Sequence, residues 1–175
     1  MNARPAAMAA APAPVSARGL ALAEARRWIG TPYRHQASCL GAGCDCLGLV
    51  RGIWRALYRE EPQTVPAYQR DVSGTPLSGE LMAAAQRHFT EIDKAQARPG
   101  DVLLFAAEPG GPARHCAVLS QRQRIIHAYW HRSVCETALT PWWRRRLVAA
   151  FAFPEPPERD RSAQDLMEMT WPSLS

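Results

Sequence analysis

The sequence predicts an α+β domain, with helices first and an antiparallel sheet of about five to six strands after them. Two observations carry this. Up to about residue 89 the apolar residues recur at helical spacings. From residue 102 onward they come in short runs separated by turn residues, which suits strands joined by tight connections.

Residues 1–15 are rich in Ala and Pro and carry no period, so they read as a flexible arm. Ser16 can cap a helix from Ala17 to Trp28, with Leu20, Ala23 and Trp28 on it, and Gly30-Thr31-Pro32 stops it. Tyr33 to Gly43 reads as a loop of small and polar residues. The second helix begins at Cys46, with Asp45 as its cap and an apolar stripe of Leu49, Val50, Ile53, Trp54, Leu57 and Tyr58, and ends near Glu61-Pro62. Residues 63–77 hold Pro66, Pro76 and Gly74 and read as a surface connection. A third helix starts at Ser78 and gathers Leu81, Met82, Ala85 and Phe89 on one face.

Arg98-Pro99-Gly100-Asp101 is a turn. The expected strands follow: Val102 to Phe105, His115 to Ser120, Arg124 to Tyr129, Ser133 to Ala138 and Leu147 to Phe153. Pro154, Pro156 and Pro157 close the domain, so the expected organisation is an arm over 1–15, a domain over 16–153 and a tail over 154–175. The tail carries Leu166, Met167, Met169 and Trp171, which suit a docking peptide.

At 175 residues one domain with a proper core is expected. The net charge of +5 rests almost wholly on arginine, since Lys94 is the only lysine. No interleaved basic and aromatic surface marks a nucleic-acid site, and no apolar run approaches a membrane span, so neither nucleic-acid binding nor membrane insertion is expected. Five cysteines cannot all pair within one chain, and the N-terminal residues lack a secretion-signal pattern. The chain is therefore expected to be made in a reducing cytoplasm with free thiols.

Cys46 falls in the first turn of a helix, where the dipole and unpaired N–H groups favour thiolate. A cysteine nucleophile needs a base, and His115 and His127 lie on neighbouring strands of an expected hairpin, close enough for their rings to meet. That gives Cys46 as nucleophile, His115 as base and His127 as the group that orients it. Cys116 should face the opposite side of its strand from His115 and pack in the core. No role follows for Cys135, and His88 and His131 read as surface or structural residues.

Four blocks in order carry a resemblance. They are Trp28-Ile29-Gly30-Thr31-Pro32-Tyr33, Asp45-Cys46-Leu47-Gly48-Leu49-Val50, Arg98 to Phe105 with Pro99-Gly100-Asp101 at its head, and Arg114 to Leu119 followed by Ile125 to Ala128. Together, from about Ala21 to Phe153, the chain resembles the NlpC-type cell-wall cysteine peptidases. The resemblance implies a papain-like NlpC-type fold and a triad of Cys46, His115 and His127. It also implies that Tyr33 lines the site and that Asp45 helps recognise the amino end of the peptide. The bond implied is one in the peptidoglycan stem, D-γ-glutamyl to meso-diaminopimelate, with no cofactor and no metal. One position departs from the pattern: the family commonly has serine after the nucleophile, where this chain has Leu47. Leu47, Cys44 and the ending Trp142-Trp143-Arg144-Arg145-Arg146 resemble a subgroup found in phage tails and gene transfer agents. That likeness implies tail or baseplate partners and delivery to the periplasmic wall by a virion-like particle.

Other readings stay open at this point. His35, Cys39, Cys44 and Cys46 are four possible zinc ligands, although Cys-x4-Cys-x-Cys lacks the usual knuckle spacing. A Cys39–Cys44 disulfide would brace the loop feeding Cys46. An acyltransferase or thioesterase on the same scaffold would keep Cys46 and His115 but need an open apolar groove. A structural tail protein with an idle site is the non-enzymatic alternative.

Overall fold

The computed structural model describes residues 16–68, 79–121, 123–129 and 132–156. The expected arm at 1–15, residues 157–175 of the expected tail, Ser78 and His131 lie outside the described residues. Three helices precede the main strands: α1 (Ala17–Arg27), α2 (Cys46–Tyr58) and α3 (Glu80–His88). The main sheet has six strands, all antiparallel to their neighbours. They are β3 (Thr90–Ile92), β4 (Val102–Ala106), β5 (Ala113–Ser120), β6 (Arg124–Tyr129), β7 (Arg132–Ala138) and β8 (Leu147–Ala152), in the order β3-β8-β4-β5-β6-β7.

Alternation along the strands gives the sheet two apolar faces. One packs Val102, Leu104, Cys116, Val118 and Ile126 against Leu22, Trp28, Leu49, Ile53 and Trp54 of the helices. The other gathers Leu103, Phe105, Ala117, Leu119 and Ile125 under Trp143 and Leu147. A short helix α4 (Pro141–Arg144), reached by Leu139-Thr140, carries Trp143. Each large side chain buried in this way contributes about 1.5–3 kcal/mol.

The elements differ from the sequence expectation in several places, the unexpected short helix α4 among them. The loop from Tyr33 to Gly43 contains a two-stranded hairpin, β1 (Ser38–Cys39) with β2 (Gly43–Cys44), too short to leave a periodic signal. The second helix stops at Tyr58, because Arg59 turns to φ 75 and ends the ladder. The third helix ends at His88, with Phe89 just past it in extended conformation. Strand β3 was not expected: only Ile92 in it is apolar and partly buried, and its hydrogen bonds to β8 create it.

The Pro99-Gly100-Asp101 turn locks the helices to the sheet. Gly100 has φ +98, and a Cβ there would sit 2.2 Å from the Arg18 carbonyl oxygen. Asp101 is fully buried, accepts from Arg18 Nε at 2.7 Å and from the Arg98 N–H at 2.7 Å, and so ties α1 to the head of β4. At the other end, Tyr58 donates to the Pro154 carbonyl at 2.5 Å, and Glu155 accepts from the Ala17 N–H at 3.1 Å.

Candidate active site

The chain reaches α2 through a clamped loop. Gly30 donates to the Val134 carbonyl at 2.9 Å and Val134 donates to that of Thr31 at 2.8 Å, which fastens Gly30-Thr31-Pro32-Tyr33 to β7. Tyr33 then bridges to Cys44, with Cys44 N–H on the Pro32 carbonyl and Arg34 N–H on that of Cys44, both at 3.0 Å. This brings Tyr33 alongside the two residues that precede Cys46.

Asp45 caps α2, its Oδ1 accepting from the Gly48 N–H at 2.8 Å. Cys46 is therefore the first helical residue. The Leu49 N–H goes to the Asp45 carbonyl, while the N–H groups of Cys46 and Leu47 belong to the helix end that has no acceptor in its own ladder. The other carboxylate oxygen of Asp45 accepts from the Gln36 N–H at 2.7 Å and from the Tyr68 hydroxyl at 2.6 Å, and the His35 ring lies 3.5 Å away. Asp45 is 2% exposed, so its carboxylate is satisfied by its own chain.

His115 and His127 stand on the face of the sheet that carries Trp143. Strands β5 and β6 pair only between Val118/Ile126 and Ser120/Arg124. Both histidines lie beyond that stretch, which leaves room for the rings between the strands. His115 Nε2 and His127 Nδ1 are 3.0 Å apart, and His127 Nε2 is 3.0 Å from Thr137 Oγ1. Trp143 stacks on His115 at 5.4 Å between ring centres and 29°, and meets His127 edge-on at 5.2 Å. Burial, and then the charge of His115, push the His127 pKa down to about 3. His127 is thus a neutral imidazole that can accept from His115 Nε2–H, leaving Nδ1 of His115 for the sulfur.

The Cys46 thiol is held well below its ordinary pKa. The largest cause is a hydrogen bond from the Cys116 thiol; burial opposes it, and the charge and hydrogen bond of His115 and the Cys116 backbone N–H add to it. Cys116 shifts the other way, well up, through the same hydrogen bond and through burial. Burial raises Cys44 to about 12, with the charges of Asp45 and Cys46 adding to it. One thiolate, on Cys46, between two protonated neighbours is the arrangement these shifts describe. A thiolate beside an imidazole can attack a carbonyl carbon and later hand a proton to a leaving amine.

The structure brings together Cys46, His115 and His127, with Tyr33 and Asp45 beside them. Three further residues lacked a sequence signal strong enough to find them. Thr137 sits in a strand with no marked chemistry. Tyr68 lies in the segment read as a surface connection, yet it reaches over the start of α2, its carbonyl accepting from His35 Nε2 at 2.9 Å. Cys116 packs in the core opposite His115, but that core face is where the first turn of α2 lands. Among the described residues no group of three or more His, Cys, Asp or Glu is gathered as a metal site. His35 instead serves Asp45 and Tyr68, and all five cysteines are free thiols.

Residues 30–152 match the model of the NlpC/P60 family. The "Probable endopeptidase NlpC" of Escherichia coli (strain K12) is 24% identical over 124 residues, which cover 70% of each chain. Among solved structures, the NlpC/p60 domain of the peptidoglycan hydrolase SagA superposes with a TM-score of 0.55 at 26% identity, covering 78% of this chain and 98% of that one. An NlpC/P60 family protein from Bacillus cereus ATCC 10987 gives a TM-score of 0.57 at 26% identity, over 82% of this chain and 42% of that one.

Proposed function

The chain belongs to the NlpC/P60 family, and from that premise we propose that it is a cysteine endopeptidase that hydrolyses peptide bonds in the peptidoglycan stem, with Cys46 as nucleophile, His115 as general base and acid, and His127 as the residue that orients His115. What supports the reading is the chain from His115 Nε2 to His127 Nδ1 and from His127 Nε2 to Thr137 Oγ1, each at 3.0 Å, together with the lowered pKa of Cys46, to which His115 contributes. The Cys46 sulfur attacks the scissile carbonyl. The developing oxyanion is met by N–H groups at the leading end of α2. His115 gives its proton to the departing amine, and the acyl-enzyme remains on Cys46. His115 then takes a proton from water, which releases the acid and restores the thiolate.

The bond assigned is D-γ-glutamyl to meso-diaminopimelate. Tyr33, beside Cys44, lines the substrate path. Asp45 binds the peptide's amino end by exchanging the Tyr68 hydroxyl for the substrate ammonium. The setting assigned is a phage tail or gene transfer agent, with tail or baseplate proteins as partners and the periplasmic wall as the place of action. The Trp142-to-Arg146 ending supports that assignment only as a likeness, and its Trp143 also forms a wall of the site.

Purified protein incubated with peptidoglycan sacculi, beside Cys46→Ala, tests the reading. The intact protein should release stem peptides with a new amino-terminal diaminopimelate, and the variant should release none. Equal release by both, or none by either, overturns it. The acyltransferase reading would need room for an acyl chain, and the apolar hollow beside α2, lined by Leu47, Val50, Trp54, Leu81, Phe89 and Cys116 among others, holds about 70 Å³. Faster turnover of a long-chain acyl thioester than of the stem peptide would select it.

A further inference from the structure

The imidazole pair has a further neighbour on α4. Strands β5 and β6 cease to pair before they reach His115 and His127, so no ladder fixes the spacing of the two rings. The second torsion of a histidine is broad and roughly two-fold, so a ring in such a gap needs a wall to hold its tilt. Trp143 supplies one. Its indole stacks on His115 at 5.4 Å and 29°, meets His127 edge-on at 5.2 Å and 88°, and is itself backed by Phe105 at 4.9 Å.

A helix of one turn does not hold itself in place. α4 is fastened at both ends. On its leading side the Leu139 N–H donates to the Gln123 carbonyl at 2.9 Å, and Arg144 donates to the Gln123 side-chain oxygen at 2.7 Å. On its trailing side the Ala106 N–H donates to the Arg146 carbonyl at 2.8 Å, and Arg146 Nε donates to the Ala107 carbonyl at 2.9 Å. The indole is therefore set in place by bonds that do not involve the imidazole pair.

We propose that Trp143 is a positioning residue for the imidazole pair: its indole fixes the tilt of His115 and keeps water from the hydrogen bond between His115 Nε2 and His127 Nδ1. His115 cannot turn about its second torsion without driving its edge into the stacked indole. A hydrogen bond from which water is excluded is stronger, and its acceptor has no competitor. Trp142 gives the contrast on the same helix. Its indole is 43% exposed, and its ring contacts are the Arg146 guanidinium at 3.9 Å and Trp143 at 4.8 Å. The inference rests on the reading of His115 as the base for Cys46 and adds a residue on which that base depends.

The test uses the full chain with isotope-labelled histidine, read by proton NMR. In wild type the proton between His115 Nε2 and His127 Nδ1 should give a downfield imidazole resonance in slow exchange with water. Trp143→Ala should speed that exchange at least about tenfold or erase the signal. Trp143→Phe should keep most of the protection, and Trp142→Ala should leave it unchanged. Alkylation of Cys46 by iodoacetamide near pH 6, and release of stem peptides from sacculi, should each fall by about tenfold to a hundredfold in Trp143→Ala and recover in Trp143→Phe. A bridging proton absent from wild type, one that exchanges alike in Trp143→Ala and Trp142→Ala, or full alkylation and release rates in Trp143→Ala would each overturn the proposal. If no form of the chain releases stem peptides, the peptidase reading falls, while proton exchange and alkylation still judge Trp143. Calorimetry on each variant separates lost folding from lost alignment. If Trp143→Ala does not fold, Trp143→Leu, which keeps an apolar side chain and removes the stack, takes its place, and the wild-type proton is read in any case.

Discussion

Replacing Gly48 with alanine should disturb stability and the thiol together. A Cβ built at Gly48 lies 1.9 Å from the Ala37 carbonyl oxygen and 3.2 Å from Asp45 Oδ1. Ordinary carbon–oxygen contacts begin near about 3.3 Å, so the backbone at Ala37 and the start of α2 must part by roughly 1.4 Å. Neither side yields cheaply. Asp45 donates its N–H to that same Ala37 carbonyl at 3.3 Å, and the Ser38 hydroxyl donates to the Gly48 carbonyl at 2.6 Å. Arg55 holds Ser38 in turn, donating to its carbonyl at 2.6 Å and its hydroxyl at 2.8 Å. Overpacking of this kind costs about 1–3 kcal/mol, offset by about 0.5–1 kcal/mol from the better helix propensity of alanine. A net loss near 1–2 kcal/mol lowers the melting temperature by roughly 2–8 °C in a chain of this size. Because the shift moves Asp45 and the first turn, iodoacetamide should modify Cys46 about tenfold more slowly at pH 6, an energetic change of about 1.4 kcal/mol. Gly79→Ala is the control, since a Cβ there meets nothing within 4 Å. Differential scanning calorimetry and alkylation kinetics on both variants make the comparison. A Gly48→Ala protein that melts and reacts like Gly79→Ala would refute the idea that this close approach positions the thiol.

Removing the Cys116 donor should move the midpoint of Cys46 alkylation up by about one to two pH units, the worth of a hydrogen bond to a charged group, and Cys116→Ser should restore part of it; an unmoved midpoint would contradict the bond. Tyr68→Phe takes one donor from the buried Asp45 carboxylate and should cost about 1–3 kcal/mol in urea unfolding, with no loss contradicting the contact. His127 titrates near 6.5 when unfolded and near about 3 when folded, so the unfolded chain binds the extra proton between those values. Its contribution is therefore intact above pH 6.5 and is lost as pH falls toward 3, at up to about 1.4 kcal/mol per pH unit. Urea midpoints from pH 7 to 4 should fall less steeply in His127→Asn than in wild type, and equal slopes would remove His127 as the cause.

The sequence made the helix-then-sheet order readable because the apolar period changes between Phe89 and Val102. That Cys46 opens α2 and that the rings of His115 and His127 meet was readable for a related reason. An N-cap aspartate fixes where a helix begins, and two adjacent strands fix which histidines can meet. Tyr68 was hidden because its role depends on a return of the chain across α2, held by Arg51 on Glu61 at 2.7 Å, and no local pattern encodes that path. Strand β3 was hidden because its partner β8 lies some sixty residues further along the chain and supplies all the order it has. Thr137 and Cys116 were hidden by chemistry that looks ordinary in a strand until a ring or a sulfur is laid against it.

Alternation along a strand sends neighbouring side chains to opposite faces, so His115 and Cys116 should not serve one atom. They do because Cys46 is not above either face. It stands at the leading end of α2, beside the stretch of β5 that has left its pairing with β6. There His115, on the Trp143 face, and Cys116, on the core face, both act to lower the pKa of the sulfur. Two consequences follow from this one placement. The imidazole side is polar, half-exposed and linked to a proton relay, which suits bond-breaking in a substrate. The thiol side is dry and holds its proton, which favours the thiolate on Cys46. A substitution that closes the gap between β5 and β6 should therefore weaken both properties at once, whereas changes at Cys116 and at His127 should separate them.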